Sequence, residues 1–322
     1  MKQSRSDEKF DALKYIESIT AEIKAQVGNK KVICALSGGV DSSVAAVLVS
    51  RAVPGCLHCV YVDTGLMRLN ETQEVREMYE SLGLTATYVD AADMFLGVLA
   101  GVTDPEQKRK IVGEAFIRVF EAEAKKLDAQ HGTIDFLVQG TIYPDVLETE
   151  KGQKSHHNVT LPDVMGLELC EPLRLLYKYE VREVGLALGI PENMIMRQPF
   201  PGPGLSVRCM GEVTQPKLNL LRRADAILRE EIKKAGLTHK IWQCLAVLTD
   251  MRTTGIKNEK RVYGHVIAIR AVNSHDTSTA QWYHMPHEVL SVVSKRMTSE
   301  LNDVVRVVYD VTDKPSATIE WE

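Results

Sequence analysis

Apolar residues recur with two different periods along the first 200 residues. Short apolar runs of strand length alternate with longer stretches in which apolar residues have helical spacing, as Phe10, Leu13, Ile16, Ile19 and Ile23 do. The strands predicted in this way cover 31–36, 59–63, 85–90 and 134–140, and the helices cover 10–27, 41–52, 71–82, 105–127 and 179–188. Such alternation predicts an α/β fold with a doubly wound parallel sheet that helices cover on both faces.

Polar residues follow each of the four predicted strands. They are 37–43 after the first, 63–65 after the second, Asp90 after the third and 139–141 after the fourth. Parallel sheets bind ligands beyond the carboxyl ends of their strands. We therefore expect these four groups to lie along one edge of the sheet.

The pattern changes near residue 200. RQPFPGPGL (197–205) has three prolines and two glycines in nine residues, which neither a helix nor a central strand accepts. Helices predicted at 217–235 and 288–301 and strands at 261–272 and 304–312 follow. We predict two domains, residues 1–200 and a smaller α+β domain of residues 201–322.

Composition limits the classes of partner. The chain has 322 residues and a formal net charge of −4, so no basic face for long nucleic acid is expected. No apolar run reaches the roughly 20 residues that span a bilayer, and MKQSRSDEKF at the start does not resemble a signal peptide. The six cysteines are scattered, which favours a reduced, cytoplasmic protein without a membrane role.

Two local features have both a structural and a functional interpretation. Cys56 and Cys59 form a C-x-x-C pair that is either a redox couple, half of a metal site or, more simply, two buried small residues at the start of a strand. Lys108, Arg109 and Lys110 form a basic run of the kind that usually lies on a solvated helix face.

SGGVDSS (37–43) lies between a predicted strand and a predicted helix. Glycines in this position let the backbone approach phosphate oxygens, and the helix N-terminus supplies oriented N–H groups. An ordinary helix cap explains one or two of these residues but not all seven. The loop lacks the G-K-[ST] of a Walker A motif. It therefore predicts an anion site of another type.

This loop resembles the PP-loop of ATP pyrophosphatases, which have an adenine nucleotide alpha-hydrolase-like fold. Other segments resemble one branch of that family, the GMP synthetases, over nearly the whole chain. They are VDTGLMR (62–68), DPEQKRKIVGEAFI (104–117), QGTIYPDV (139–146), KSHHNV (154–159), EPLRLLYKYEVR (171–182), RQPFPGPGLSVR (197–208), RVYG (261–264), RVVYD (306–310) and KPSATIEWE (314–322).

The resemblance implies a ligase that aminates XMP to GMP. The purine O2 of XMP attacks the α-phosphate of ATP, which gives adenyl-XMP and pyrophosphate, and ammonia then displaces AMP. Mg²⁺ bridges the phosphates, with Asp41 and Asp145 as the expected oxygen ligands. A plain helix-start carboxylate is the alternative for Asp145.

The resemblance also implies the remaining site residues. The polar stretch 143–158 is expected to be a mobile flap whose Lys154, His156 and His157 act in catalysis with Asp41, unless it is only a solvated loop. ATP is assigned to Ser37, Gly38, Gly39, Val40, Asp41, Ser42, Ser43, Arg68, Gln139, Gly140 and Thr141. XMP is assigned to Arg208, Arg261, Lys314, Thr318, Ile319 and Glu320.

None of the cysteines lies in a G-x-C-x-G elbow of the kind a glutamine amidotransferase needs. We therefore expect ammonia to come from a separate glutaminase subunit. The second domain is expected to form a homodimer, since its strands are apolar on both faces and few helices are predicted to cover them. Two alternatives remain at this stage, namely a tRNA thiolase and a non-catalytic nucleotide-binding regulator.

Overall fold

A computed structural model describes residues 10–150, 166–274 and 277–322, without the side chains of 148–150. Packing divides the chain into two units. Unit 1 comprises Met1–Val62, Glu74–Val89 and Ile117–Arg197, and unit 2 comprises Asp63–Gln73, Asp90–Phe116 and Gln198–Glu322. The longest continuous part of unit 2 begins in the proline-rich segment, and two earlier segments, Asp63–Gln73 and Asp90–Phe116, also belong to this unit. The domain limits at 1–200 and 201–322 stay a prediction.

Helices and strands alternate through the first 197 residues. In chain order they are α1 (Ala12–Val27), β1 (Lys31–Leu36), α2 (Val40–Ala52), β2 (Leu57–Asp63), α3 (Glu71–Ser81), β3 (Ala86–Asp90), α4 (Ala92–Leu99), α5 (Pro105–His131), β4 (Ile134–Val138), α6 (Tyr143–Glu150), β5 (Glu168–Cys170), α7 (Lys178–Ala187) and α8 (Glu192–Ile195).

The five strands form one sheet in the order β3-β2-β1-β4-β5. β1 pairs in parallel with β2 and with β4, and β4 pairs in parallel with β5. Helices flank this sheet, which confirms the predicted α/β class. Because the strands run in the same direction, the loops after β1 and β4 begin at the same edge of the sheet.

The core of unit 1 explains why β1 and α2 have these bounds. Five of the six residues of β1 are apolar, and within 32–36 only Ala35 is partly exposed. α2 buries nine residues, from Val40 to Ala52, because this helix packs within the core rather than on the surface. Asp11 begins α1 by accepting hydrogen bonds from the amides of Leu13 and Lys14.

Two helices depart from the sequence-based expectation. The expected flap 143–158 begins as the helix α6, and residues 151–165 lie outside the described part of the chain. Asp145 in the first turn of α6 accepts a hydrogen bond from the amide of Ile142 at 3.1 Å, which satisfies a donor at the start of the helix. The pattern did not predict α4, a short helix that buries Phe95 and Leu99.

Unit 2 combines helices with a four-stranded sheet. Its elements after residue 200 are the 3₁₀ helix η1 (Gly204–Arg208), α9 (Gln215–Lys234), β6 (Gln243–Lys257), β7 (Lys260–Asn273), β8 (Gln281–Trp282), α10 (His287–Glu300) and β9 (Val304–Asp310). β7 pairs antiparallel with β6 and β8 and parallel with β9. This is the smaller α+β arrangement that the sequence predicts.

The strand β6 was not predicted, although it forms a long hairpin with β7. Its first seven residues are buried and include the apolar run 244–248, whereas from Asp250 onward most of its side chains are exposed and polar residues interrupt the pattern. Glycines at 255 and 264 lie against Val305, where added Cβ atoms would approach Val305 side-chain atoms to 2.7 and 2.6 Å. The opposite face of this part of the hairpin carries the exposed Ile256 and Tyr263.

Among the residues that the structure describes, no helix is both long enough and apolar enough to cross a lipid bilayer.

Candidate functional site

The loop 37–43 connects β1 to α2 and holds its shape through its own hydroxyl groups. Ser37 Oγ accepts from the Gly39 amide at 3.2 Å and contacts Ser42 Oγ at 3.0 Å. Ser43 Oγ donates to Gly39 O at 2.7 Å and also contacts the buried Tyr79 hydroxyl at 3.0 Å. These contacts fix the backbone before any ligand binds.

The N-terminus of α2 is available to an anion. Gly39 is its N-cap, and no side chain caps this helix end. Uncapped N–H groups and the helix dipole favour a negatively charged group at this point. Gly38 has φ of +73°, a left-handed conformation that favours glycine.

The end of β4 packs directly against this helix start. A Cβ atom on Gly140 would lie 2.9 Å from both Asp41 C and Ser42 N, so a larger residue does not fit there. Gln139 is buried, and its backbone N–H donates to Cys170 O at 3.0 Å. Thr141 Oγ1 is buried without a hydrogen bond to any described residue. The residues predicted after β1 and β4 are therefore neighbours.

Asp41 is paired with Lys178, a residue that sequence reasoning did not select. Lys178 Nζ lies 2.7 and 2.6 Å from the two carboxylate oxygens of Asp41. The side chains of Lys178 and Asp41 are 43% and 30% exposed, so solvent and ligands reach the pair. Arg197 Nη1 also donates to Gly38 O at 3.1 Å. The only sequence signal for Lys178 is its place in EPLRLLYKYEVR.

Asp41 and Asp145 suit a cation that also binds phosphate. The described residues contain no group of three or more His, Cys, Asp or Glu side chains that would hold a metal by themselves. Mg²⁺ usually takes only one or two carboxylates and completes its shell with water and substrate phosphates. Both aspartates lie in the first turns of helices that follow the adjacent strands β1 and β4. This donor set fits magnesium bound together with a nucleotide.

A second polar site lies wholly within unit 2. Arg208, at the end of η1, is fully buried and binds the carboxylate of Glu320 through Nε at 2.9 Å and Nη2 at 2.8 Å. Gln243 Nε2 donates to the same carboxylate at 2.8 Å. Burial alone would lower the pKa of Arg208, but the pairing with Glu320 outweighs it and raises that pKa.

Arg68 belongs to this second site. Its guanidinium stacks on Phe200 at 4.4 Å, and Arg208 lies 5.0 Å from the same ring. Asp225 Oδ2 lies 3.5 Å from Arg68 Nε. Burial lowers the pKa of Arg68, an effect that Asp225 opposes. Arg68 Nε and Nη2 and Arg208 Nη1 form no hydrogen bond with the described residues. These buried donors suit an anionic ligand.

The other residues assigned to XMP are partly brought together. The carbonyl groups of Thr318 and Ile319 bind the buried Arg270, and Glu320 follows them directly. Lys314 is half-buried and donates to Thr277 O at 2.6 Å. Arg261 lies exposed on β7, and no contact joins it to Arg208 or Glu320 in the described structure.

Three residues assigned to catalysis, Lys154, His156 and His157, lie outside the described residues.

The cysteines are buried thiols rather than a ligand set. All six are free, and only Cys56 is more than slightly exposed. Burial raises the pKa of Cys59 and of Cys244 to about 12. The C-x-x-C pair therefore has the simple reading of small residues at the start of a buried strand.

Two family models match different parts of the chain. Residues 230–321 match the GMP synthase C terminal domain, and residues 12–119 match the NAD synthase family. Two solved structures, an NMN synthetase from Francisella tularensis and an NH3-dependent NAD synthetase from Campylobacter jejuni, are 15% and 16% identical, with TM-scores of 0.47 and 0.46. They cover 72% of this chain, and the chain covers 94% and 86% of theirs.

Curated relatives match nearly the whole chain. Glutamine-hydrolyzing GMP synthases from Clostridium botulinum and Acetivibrio thermocellus are 55% and 56% identical over 96% of this chain, and that from Streptomyces coelicolor is 54% identical over 95%. The chain spans 61%, 61% and 60% of the length of these three proteins. The chain is thus similar to the GMP synthases over nearly its whole length, and its two matched parts are similar to the NAD synthase family and to the GMP synthase C terminal domain.

Proposed function

We propose that this chain is the synthetase part of a GMP synthase, which converts XMP, ATP and ammonia to GMP, AMP and pyrophosphate. The observation that carries this proposal is the 55% identity to GMP synthases over 96% of the chain. The two polar sites support it, because one suits nucleotide phosphates and the other suits a second anion.

The proposed reaction has two steps. The O2 atom of XMP forms a bond to the α-phosphorus of ATP as the bond to pyrophosphate breaks. Ammonia then attacks the purine C2, the C2–O bond breaks, and AMP leaves with that oxygen. Both steps depend on positioning and on stabilising charge that develops on phosphate oxygens.

The loop 37–43 is proposed to bind the ATP phosphates. The uncapped N–H groups of α2 and the Ser37 and Ser42 hydroxyls are the donors. Gln139, Gly140 and Thr141 line the adjoining strand end, and the buried Thr141 hydroxyl has no other described partner. This supports contact of that strand end with the nucleotide.

Magnesium is proposed as the metal, held by Asp41 and Asp145. Bound there, it would neutralise phosphate charge in the transition state. If Asp41 held the metal, Lys178 would lose its partner, and its ammonium group would be available to phosphate oxygens. Lys178 would thus hold Asp41 in place before the nucleotide binds and supply a positive charge afterwards.

Lys154, His156 and His157 remain proposed catalytic residues. The support is the resemblance of KSHHNV to the family motif, since no described contact involves them. Their proposed role is to close over the phosphates and to keep water from the adenylate.

Unit 2 is proposed to bind XMP. Arg208, Thr318, Ile319 and Glu320 form one cluster, to which we add Gln243. We propose Arg68 as a further XMP residue rather than an ATP residue, because it stacks on the same phenylalanine as Arg208 and belongs to unit 2. Lys314 and Arg261 stay proposed anion partners at the periphery.

Ammonia is proposed to come from a glutaminase component distinct from this chain. Glutamine hydrolysis needs a reactive thiolate. Burial raises the pKa of Cys34, Cys59, Cys170, Cys209 and Cys244, which disfavours that form. The same observation argues against a tRNA thiolase that would carry sulfur on these residues. Six free cysteines also suit the reducing cytoplasm, which stays the proposed location.

The test is product analysis with the purified chain, ATP and Mg²⁺. We expect pyrophosphate and AMP to form in equal amounts. Sustained turnover should require both XMP and an ammonium salt. Release of ADP and phosphate, or nucleotide binding without any XMP-dependent chemistry, would contradict the proposal. The second result would favour a non-catalytic regulator.

A further inference from the structure

The segment 311–322, which follows β9, has little backbone pairing of its own. Among the described residues, its backbone hydrogen bonds to other segments are the two that join Lys314 with Ala280, at 2.7 and 3.0 Å. Residues 318–322 lie beyond this pairing. Side chains from other segments therefore hold this part of the chain.

Arg270 of β7 is the first of these side chains. It is fully buried. Its Nε donates to Ile319 O at 2.9 Å, its Nη2 to Thr318 O at 2.7 Å and its Nη1 to Thr312 O at 2.9 Å. A planar guanidinium imposes fixed directions on its partners. Arg270 therefore sets the orientation of the two peptide groups that precede Glu320.

Asp310, the last residue of β9, completes this attachment. Its Oδ2 accepts from Arg270 Nη1 at 2.8 Å and from Trp321 Nε1 at 2.9 Å. Burial raises the pKa of Asp310, but hydrogen bonds from Thr312 and the charge of Arg270 outweigh it and lower that pKa. Asp310 therefore stays ionised at neutral pH. Together, Arg270 and Asp310 bind residues on both sides of Glu320.

Lys108 of α5 is the second side chain. It is fully buried, contrary to the solvated helix face expected from its basic run. Its Nζ donates to Cys209 O at 2.8 Å and to Ser206 O at 3.3 Å, and it also binds the Glu322 carboxylate. One ammonium group thus connects the segment that carries Glu320 to the turn that carries Arg208.

We propose that Lys108 and Arg270 are positioning residues for XMP, which fix Glu320 against Arg208 and Gln243 before the substrate binds. This inference rests on the proposed function. Neither cation needs to touch XMP. Without them, the carbonyl groups of 318 and 319 and the carboxylate of Glu322 lose their buried partners, and only Arg208 and Gln243 still hold Glu320.

The test compares Lys108→Met with Lys110→Met in the full chain. Methionine keeps much of the volume of lysine but cannot donate, and Lys110 is an exposed lysine on the same helix, with 69% side-chain exposure. For Lys108→Met we expect the KM for XMP to rise about tenfold or more, because the variant loses about one charge-assisted hydrogen bond. The KM for ATP should change less than about twofold, and Lys110→Met should match the wild type.

Two further variants test the proposal in case Lys108→Met does not fold. Glu322→Gln leaves the bonds of Lys108 to Ser206 O and Cys209 O intact but removes the ion pair, and Arg270→Lys keeps the charge but loses the planar fork. We expect both to raise the KM for XMP selectively, and calorimetry with XMP alone should give the same weakening.

The outcomes separate this proposal from the function on which it rests. Folded variants with a lower Tm but an unchanged KM for XMP, or with both KM values raised equally, would mean a purely structural role and would overturn it. A wild-type chain that does not use XMP at all would refute the proposed function itself.

Discussion

Asp41 and Lys178 form the pair on which the proposed nucleotide chemistry depends most. Both side chains are partly exposed, and a solvent-accessible ion pair of this kind contributes only about 0–1 kcal/mol to stability. Its function is therefore more important than its contribution to the fold. In the proposed site, a phosphate-bound metal would compete with Lys178 for Asp41, and the α2 N-terminus would attract the same phosphates.

Asp41→Asn should reduce turnover about 100-fold or more without unfolding the protein, because the amide keeps the shape but loses the charge that binds the metal. Steady-state pyrophosphate release and a thermal melt measure the two effects. Glu192→Gln, an exposed carboxylate in α8, is the control and should leave both unchanged. Full activity of Asp41→Asn would remove this residue from the mechanism.

His58 should make stability depend on pH in the acidic range. Burial, the stacked ring of His131 and the charge of Lys31 all lower the pKa of His58 below its usual 6.5. The unfolded chain then binds a proton at a higher pH than the native chain does. Stability should therefore fall as pH drops below about 6.5 and be constant with respect to this group above it.

Urea unfolding from pH 5 to 8 tests this expectation. His58→Gln should flatten the acidic part of the profile, whereas His239→Gln, at an exposed position, should not. Burial also lowers the pKa of His265, so some slope should remain. Equal slopes in the wild type and in His58→Gln would contradict the assignment.

The segment 311–322 has no regular secondary structure, yet it carries four of the residues proposed to bind XMP. Arg208 reaches Glu320 across 112 positions of sequence, and Arg270 reaches Thr318 across 48. Buried charged partners of this kind fix a segment that has almost no backbone ladder. Its removal should therefore affect one substrate and not the other.

Deletion of residues 314–322 should abolish XMP binding and leave ATP affinity within about twofold of the wild type. The reason is that Glu320 and its neighbours are lost, while the loop 37–43 belongs to unit 1. Calorimetry with each nucleotide separately measures this. Unchanged XMP affinity in the truncated chain would exclude the segment from the XMP site.

The elements differ in how far their sequence predicts them. β1 was predicted residue for residue, because it is a short buried run that a glycine-rich turn ends. The exposed half of β6 has the polar composition of a loop and is held in the sheet by pairing with β7. Its buried half contains the apolar run 244–248, a strand signal that the sequence prediction missed. The loop 37–43 could be read locally, whereas Lys178 and Arg270 could not, because the contacts that define their roles join distant parts of the chain.

At the scale of the whole molecule, the hairpin β6–β7 is the surface through which we expect copies of the chain to associate. Ile256 and Tyr263 share one of its faces and are 77% and 64% exposed. Large apolar side chains exposed together commonly mark an interface. This supports the proposed homodimer.

The purified chain should have about twice the monomer mass of 35.9 kDa by light scattering. Ile256→Asp combined with Tyr263→Asp should shift it to the monomer mass, because charges on an apolar interface are costly. Lys295→Asp on α10 is the control. A wild-type monomer at micromolar concentration would contradict the dimer, and an unchanged dimer in the double variant would place the interface elsewhere.

Transfer of oxygen from XMP to AMP tests the central claim most directly. With XMP labelled with ¹⁸O at the purine O2, the proposed adenyl-XMP intermediate requires that this atom stay bonded to the α-phosphorus when ammonia breaks the C2–O bond. Mass spectrometry of the products should find one ¹⁸O in each AMP and none in GMP. Unlabelled AMP, with the label in water or in phosphate, would contradict the account.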